Sequence, residues 1–212
     1  RAVRQAALQL RTGGTPAWEY LDDPSSSKQR LSSMLHGHSE GDVFFDLEGN
    51  PFSTSGRDGS ITSREYLWGV AVHSLYEGED VFGAEVTKTS HGYYLAWWGH
   101  DEDKEVDAFK AFMGWVQQRM NKYPKLHVYH YGAYEMSALK RLAGRSGCCE
   151  ALLDHCLRAG TFVDIYVAIR RCLLVGEPKY SIKNTEKLWR SQSRGEGVAK
   201  GDDSIVAYQR WV

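Results

Sequence analysis

The sequence predicts an α/β domain with a mixed central sheet, its first three strands antiparallel, flanked by helices. Two observations predict this. Three strand-like runs follow one another, VFFDLEG (43–49), EYLWGVAVH (65–73) and GYYLAWWGH (92–100), with turn-rich segments such as SLYEGED between them. From residue 101 helical spacing takes over, broken once by LHVYHYGAYE (126–135), a fourth strand that runs into a helix near Tyr134.

Each element has a local reason. RAVRQAALQLR (1–11) has helical composition, with Val3, Ala6, Ala7 and Leu10 on one face. Residues 12–41 hold Gly13-Gly14 and the run DDPSSSKQ and read as an irregular approach. The boundary is therefore expected between this N-terminal part, 1–41, and a domain over 42–212. DEDKEVDAFKAFMGWVQQRM (101–120) spaces Val106, Phe109, Phe112, Met113, Val116 and Met120 as one helical face, and its acids crowd the first turn as the helix dipole favours. Further helices are expected over 134–143, 150–159 closed by Gly160, 163–174 and roughly 181–190, with a helical tail from Ser204.

The bulk numbers exclude several classes. With 212 residues, 42% hydrophobic and 12% aromatic, the chain can bury a sizeable core and is no disordered polymer. Lys and Arg number 26 against 27 Asp and Glu, so overall charge argues neither for nor against a nucleic-acid partner, and a local basic groove stays open. No run of 18 apolar residues and no secretory signal is visible. Cys148, Cys149, Cys156 and Cys172 lack zinc-ribbon pairing, and a vicinal pair makes a poor disulfide framework; reduced thiols in the cytoplasm are expected. The chain opens at Arg1 and stops at Val212 inside what reads as a helix, so it reads as a piece of a longer protein.

The chemistry concentrates in VFFDLEG. Strand side chains alternate, so Val43, Phe45 and Leu47 point one way while Asp46 and Glu48 point the other. Two carboxylates side by side repel one another, and a hard divalent cation, Mg²⁺ or Mn²⁺, is one way to neutralise them. The plain alternative is a polar face in water. Glu135, in the first turn of the helix after the fourth strand, joins this site if that strand lies beside the first; otherwise it complements the helix dipole.

The pattern D-x-E on a first strand, followed about 85 residues later by H-x-x-x-Y-E, resembles the first two motifs of the DEDD 3′–5′ exonucleases. Their second motif reads His-Asn-x-x-Phe-Asp; here His130, Tyr131, Tyr134 and Glu135 stand in those places. A closer match spans GDVFFDLEGNPF, EYLWGV, HVYHYGAYEMSALKRL, FVDIYVAIRR, YSIKNTEKLW and SIVAYQRWV, which in this order resemble the ribonuclease-H-like domain of TM0106-type RecB-like nucleases. Asn50 stands where that family often has Asp. The resemblance implies a ribonuclease-H-like fold and a DNA-cutting domain within a larger nuclease/helicase protein. It further implies two-metal phosphodiester hydrolysis, with Asp46 bridging the ions and Glu48 and Glu135 completing the shells. A fourth acid is expected after the SIVAYQRW helix, beyond Val212; Asp202 and Asp203 do not match that motif.

Other residues carry weaker signals. Asp164, at a helix start, is a further metal candidate or an N-cap. His130 and Tyr131 in the second motif, and Tyr180 with Lys183 in YSIK, are candidates for contacting substrate. Trp97, Trp98 and Trp115 either stack bases or fill the core. A different class of function fits the same residues: a non-cleaving module that holds nucleic acid or a partner domain.

Overall fold

The computed structural model describes residues 1–54, 61–190 and 201–211. Along the chain lie α1 (Ala2–Arg11), β1 (Trp18–Tyr20), α2 (Pro24–Leu35), β2 (Val43–Thr54), β3 (Ile61–Val72), β4 (Glu85–Thr89), β5 (Gly92–Trp98), α3 (Glu102–Lys122), β6 (Val128–His130), α4 (Tyr134–Ser146) and α5 (Glu150–Ala159). Then follow β7 (Phe162–Asp164), α6 (Ile165–Cys172), β8 (Leu173–Val175), α7 (Ile182–Thr185), a 3₁₀ turn Glu186–Leu188 and α8 (Gly201–Trp211). They form two compact units: a small unit of residues 1–37 and 163–195, and a sheet unit of residues 38–162 and 196–212. The first 37 residues thus group with a segment more than 120 residues away, whereas the sequence suggested a single break at 41/42.

In the sheet unit the strands lie in the order β4-β5-β3-β2-β6. β2, β3 and β5, the three runs expected to pair antiparallel, do so, and β6 runs parallel to β2 through Val43↔Val128 and Phe44↔Tyr129. One sheet face is apolar because the period-2 pattern makes it so. Val43, Phe45, Leu47, Trp68, Val70, Leu95 and Trp97 pack there against Phe109, Phe112, Met113 and Val116 of α3 and Leu139 and Leu142 of α4. Phe45 and Phe112 stack with ring centroids 4.3 Å apart. Trp97 and Trp115 are core residues, while Trp98 packs beside His100 and Trp211 of α8. α3 starts where its sequence says it should: Asp101 accepts the Lys104 N–H as N-cap, and Glu102, Asp103 and Glu105 fill the first turn.

Four expectations need correction. β4 was missed because EVTKT is exposed throughout, so no apolar alternation marks it; only pairing with β5 makes it a strand. The segment read as irregular holds α2, opened by Asp23 as N-cap and Pro24 in the first turn, the N-terminal punctuation present in DDP. Residues 163–174, read as one helix, divide into β7, α6 and β8, because Asp164 caps α6 and the β-branched and leucine-rich end pairs with β1 as Leu173↔Tyr20 to Val175↔Trp18. Residues 181–190 form one helical turn and a 3₁₀ turn instead of a long helix. All four cysteines are free thiols, and among the described residues no helix is long and apolar enough to cross a membrane.

Candidate active site

The alternation expected of β2 is present. Val43, Phe45 and Leu47 are buried, while Phe44, Asp46 and Glu48 share the opposite face. Cross-strand pairing keeps that face low beside Asp46, since its neighbour on β3 is Gly69, and Gly69 in turn pairs with Ala96 on β5. The missing side chain at Gly69 admits Tyr94: a Cβ there would lie 2.4 Å from Tyr94 Oη. The Tyr94 phenol therefore extends over the sheet towards the acids. Its pKa is raised, first by burial and then by the charges of Asp46 and Glu48. Farther along, Phe44, Ala71, Tyr94, His73 and His91 help to line a cavity of about 430 Å³.

Glu135 arrives from another element. β6 lies parallel beside β2 and ends at His130, and the chain turns through Gly132, at φ 101°, into α4. That left-handed backbone suits only glycine comfortably, and it lets a three-residue strand deliver a helix start beside the middle of β2. Glu135 is the second residue of α4, and although charged it is only 4% exposed.

The two carboxyls meet. Asp46 is hydrogen-bonded to Glu135, and its pKa is pushed up to about 7 by burial, then by the charges of Glu135 and Glu48; a backbone hydrogen bond at Leu47 pulls weakly the other way. Solvent reaches one side of Asp46, but the packing around its carboxyl is dense enough to penalise the ionised form. Near neutrality the Asp46 carboxyl is therefore still partly protonated, and in that form it donates the hydrogen bond to Glu135. Glu135 Oε2 is enclosed and makes no hydrogen bond. His130 Nδ1 is 3.7 Å from it, and lies 2.8 Å from the Gly132 carbonyl. A carbonyl only accepts, so Nδ1 carries the proton and His130 holds the turn that aims Glu135.

A clamp centred on the buried Glu65 fixes α4. Tyr134 Oη donates to Glu65 Oε2 at 2.7 Å, and Arg141 Nη2 pairs with Glu65 Oε1. Arg145 Nη2 pairs with Glu105 Oε2 at 2.5 Å, and Glu105 Oε1 accepts the Glu65 N–H at 2.7 Å. Glu65 is fully buried, so these partners are what make its charge tolerable there. Glu65→Gln is expected to cost about 2–3 kcal/mol in urea unfolding, and Tyr134→Phe about 1 kcal/mol, since the first strands a cation and the second removes one hydrogen bond. Equal costs for the two would contradict the clamp.

The remaining candidates separate by location. Tyr131 is half-buried directly after β6. Asp164, Tyr180 and Lys183 belong to the small unit. There Asp164 Oδ1 accepts the Val167 N–H as N-cap of α6, and Tyr180 Oη accepts from Val175 N–H and donates to the Leu173 carbonyl, bracing β8. Lys183 is exposed on α7. Among the described residues no three His, Cys, Asp or Glu side chains converge closely enough to form a metal-binding group. Sequence reasoning missed Tyr94 and the clamp. The alternation of GYYLAWW does put Tyr94 on the outer face, but the cross-strand glycine that admits it becomes visible only with the register.

The model of the RNase H superfamily matches residues 43–212. Searches of the curated proteins and of the solved structures each returned no match.

Proposed function

Because the chain belongs to the RNase H superfamily, we propose that its sheet unit is a divalent-cation-dependent nuclease domain that hydrolyses phosphodiester bonds as the DEDD 3′–5′ exonucleases do. The observation that carries this reading is the Asp46–Glu135 pair: two carboxyls pressed together on a sheet face, one with its pKa at about 7 and the other with an enclosed oxygen that has no hydrogen bond. Such a pair is under electrostatic stress that either a proton or a cation relieves. Its donors are all oxygens, which fits Mg²⁺ or Mn²⁺. Mg²⁺ in particular is commonly held by one or two carboxylates, with substrate phosphate and water completing its shell.

Asp46 and Glu135 would hold such an ion, with Glu48 the next carboxylate on the strand. When bound, the metal supplies an activated water and stabilises the charge on the leaving oxygen. The chain's own residues do the rest. His130 and Gly132 aim Glu135, the Glu65 clamp holds α4 in place, and Tyr94 offers a hydroxyl on the open side of Asp46. DNA as substrate, a larger RecB-like parent protein and a fourth acid beyond the SIVAYQRW segment belong to the same proposal.

A second reading is favoured by one observation, the absence among the described residues of a three-ligand group. It is a domain that holds nucleic acid without cutting it. Calorimetric titration with Mn²⁺ of the chain and of Asp46→Ala separates the two. Binding that is lost in the variant supports the nuclease reading; absence of binding in both, with oligonucleotide binding intact, favours the second.

A further inference from the structure

We infer that the small unit is a docking surface for a nucleic-acid backbone, built from exposed Lys and Arg side chains. The choice of ligand rests on the nuclease reading above; the charge distribution does not. The near-zero net charge of the chain conceals a division. The small unit holds 12 Lys and Arg against 6 Asp and Glu, a formal charge of +6, whereas the sheet unit holds 14 against 21, a charge of −7.

Exposure sharpens the contrast. All eleven Lys and Arg among the described residues of the small unit are exposed. Of its six acids only Glu19, Asp22 and Asp23 are; Asp164 and Glu186 are half-buried and Glu177 is buried. Two of the less exposed acids pair with cations of the same unit, Glu177 with Lys187 and Glu186 with Arg190, and no Lys or Arg among the described residues of the unit is buried. Some cations are engaged, as in the Arg11–Glu19 and Arg30–Asp22 pairs, but Lys28, Arg171 and Lys179 have no ion pair among the described residues. Trp189, 63% exposed, and Trp18, 46% exposed, add flat surfaces on which unpaired bases can stack.

The physical need is clear from the other unit. A unit at −7 that also presents clustered carboxylates repels a polyanion, so encounter with a phosphate backbone requires a positive field from elsewhere in the chain. The small unit supplies one. Contacts of exposed cations and aromatics with phosphates and base faces carry no sequence information, as suits a non-specific nuclease.

The test uses the whole chain and a 5′-fluorescein single-stranded oligodeoxynucleotide, read by anisotropy from about 50 to 200 mM KCl. The variant Lys28→Glu/Arg171→Glu/Lys179→Glu is expected to weaken binding on the order of tenfold or more at the low-salt end and to flatten the slope of log K against log[KCl] by about 2. A Gln version of the same triple, checked by thermal melting, guards against misfolding and should lose part of the affinity. If Mn²⁺ binding fails everywhere yet the triple variant loses the oligonucleotide, the nuclease reading falls and the docking surface stands. Unchanged affinity in the triple variants, no binding by the parent chain, or binding to anionic vesicles but not to the oligonucleotide overturns the inference.

Discussion

Asp46→Asn is expected to lose Mn²⁺ binding and, in the same protein, to raise the stability of the metal-free fold above neutral pH. The two effects share one cause. In the folded state the Asp46 pKa is about 7, and in the unfolded chain it returns to about 3.9. Between those values the folded state keeps a proton that the unfolded state has released, so unfolding releases a proton and stability falls as pH rises. The contribution is fully present below about pH 4, declines through the interval and is gone above about pH 7. A shift of this size corresponds to about 4 kcal/mol in a fully dry site, and solvent access to Asp46 reduces the expectation to about 1–2 kcal/mol. Asparagine cannot ionise, so urea unfolding of Asp46→Asn should show no such decline, and the variant should exceed the parent by about that amount at pH 8. Saturating Mn²⁺ should restore the parent and leave the variant unmoved. A variant less stable than the parent at pH 8 would remove the argument that the carboxyl pair is held under strain for a cation.

Arg119→Ala is expected to cost about 3–5 kcal/mol of stability, measured by urea or thermal unfolding. Arg119 is fully buried in α3, and every donor of its guanidinium is used. Nε reaches the Gly41 carbonyl at 2.9 Å, Nη1 reaches both Glu79 oxygens at 2.7 and 2.8 Å, and Nη2 reaches the Ser74 carbonyl at 2.9 Å and the Glu40 carbonyl at 3.3 Å. Glu79 also accepts Trp115 Nε1–H at 2.8 Å. The guanidinium thus ties the segment that enters β2 and the segment that leaves β3 to one helix. Truncation leaves the Glu79 carboxylate buried without its counter-charge and three carbonyls without a donor, which is why the cost exceeds that of a lost hydrogen bond. The double variant Arg119→Met/Glu79→Leu should recover most of the loss, because two apolar side chains of similar volume leave no charge to desolvate. If the double variant is as unstable as the single one, the loss comes from packing, not from the stranded charge.

Legibility in the sequence followed the range of the interactions. The period-2 pattern of VFFDLEG sets which face Asp46 and Glu48 occupy, and residues one or two apart are enough to decide it. The caps at Asp101 and Asp23 are equally local; the acid-rich first turn marks the helix after Asp101, whereas the helix opened by Asp23 lies in a segment that reads as irregular. β4 and the division of 163–174 were unreadable for the opposite reason: EVTKT and LLV become strands through partners at positions 92–96 and 18–20. The motif around Glu135 was visible as a pattern, but its meeting with Asp46 depends on β6 lying parallel beside β2.

By itself, then, the sequence determined the strand and helix periods, the two carboxylates of D-x-E on one face and the superfamily to which residues 43–212 belong. Only the tertiary structure decided that Asp46 and Glu135 are hydrogen-bonded to each other, that Gly69 makes room for Tyr94, and that Glu65 and Arg141 hold the helix that carries Glu135. It also decided that residues 1–37 and 163–195 form one basic unit, hidden in a chain of almost no net charge. The reason is that periodicity is a property of neighbours along the chain. Desolvation and charge–charge coupling depend on which distant segments are folded against one another.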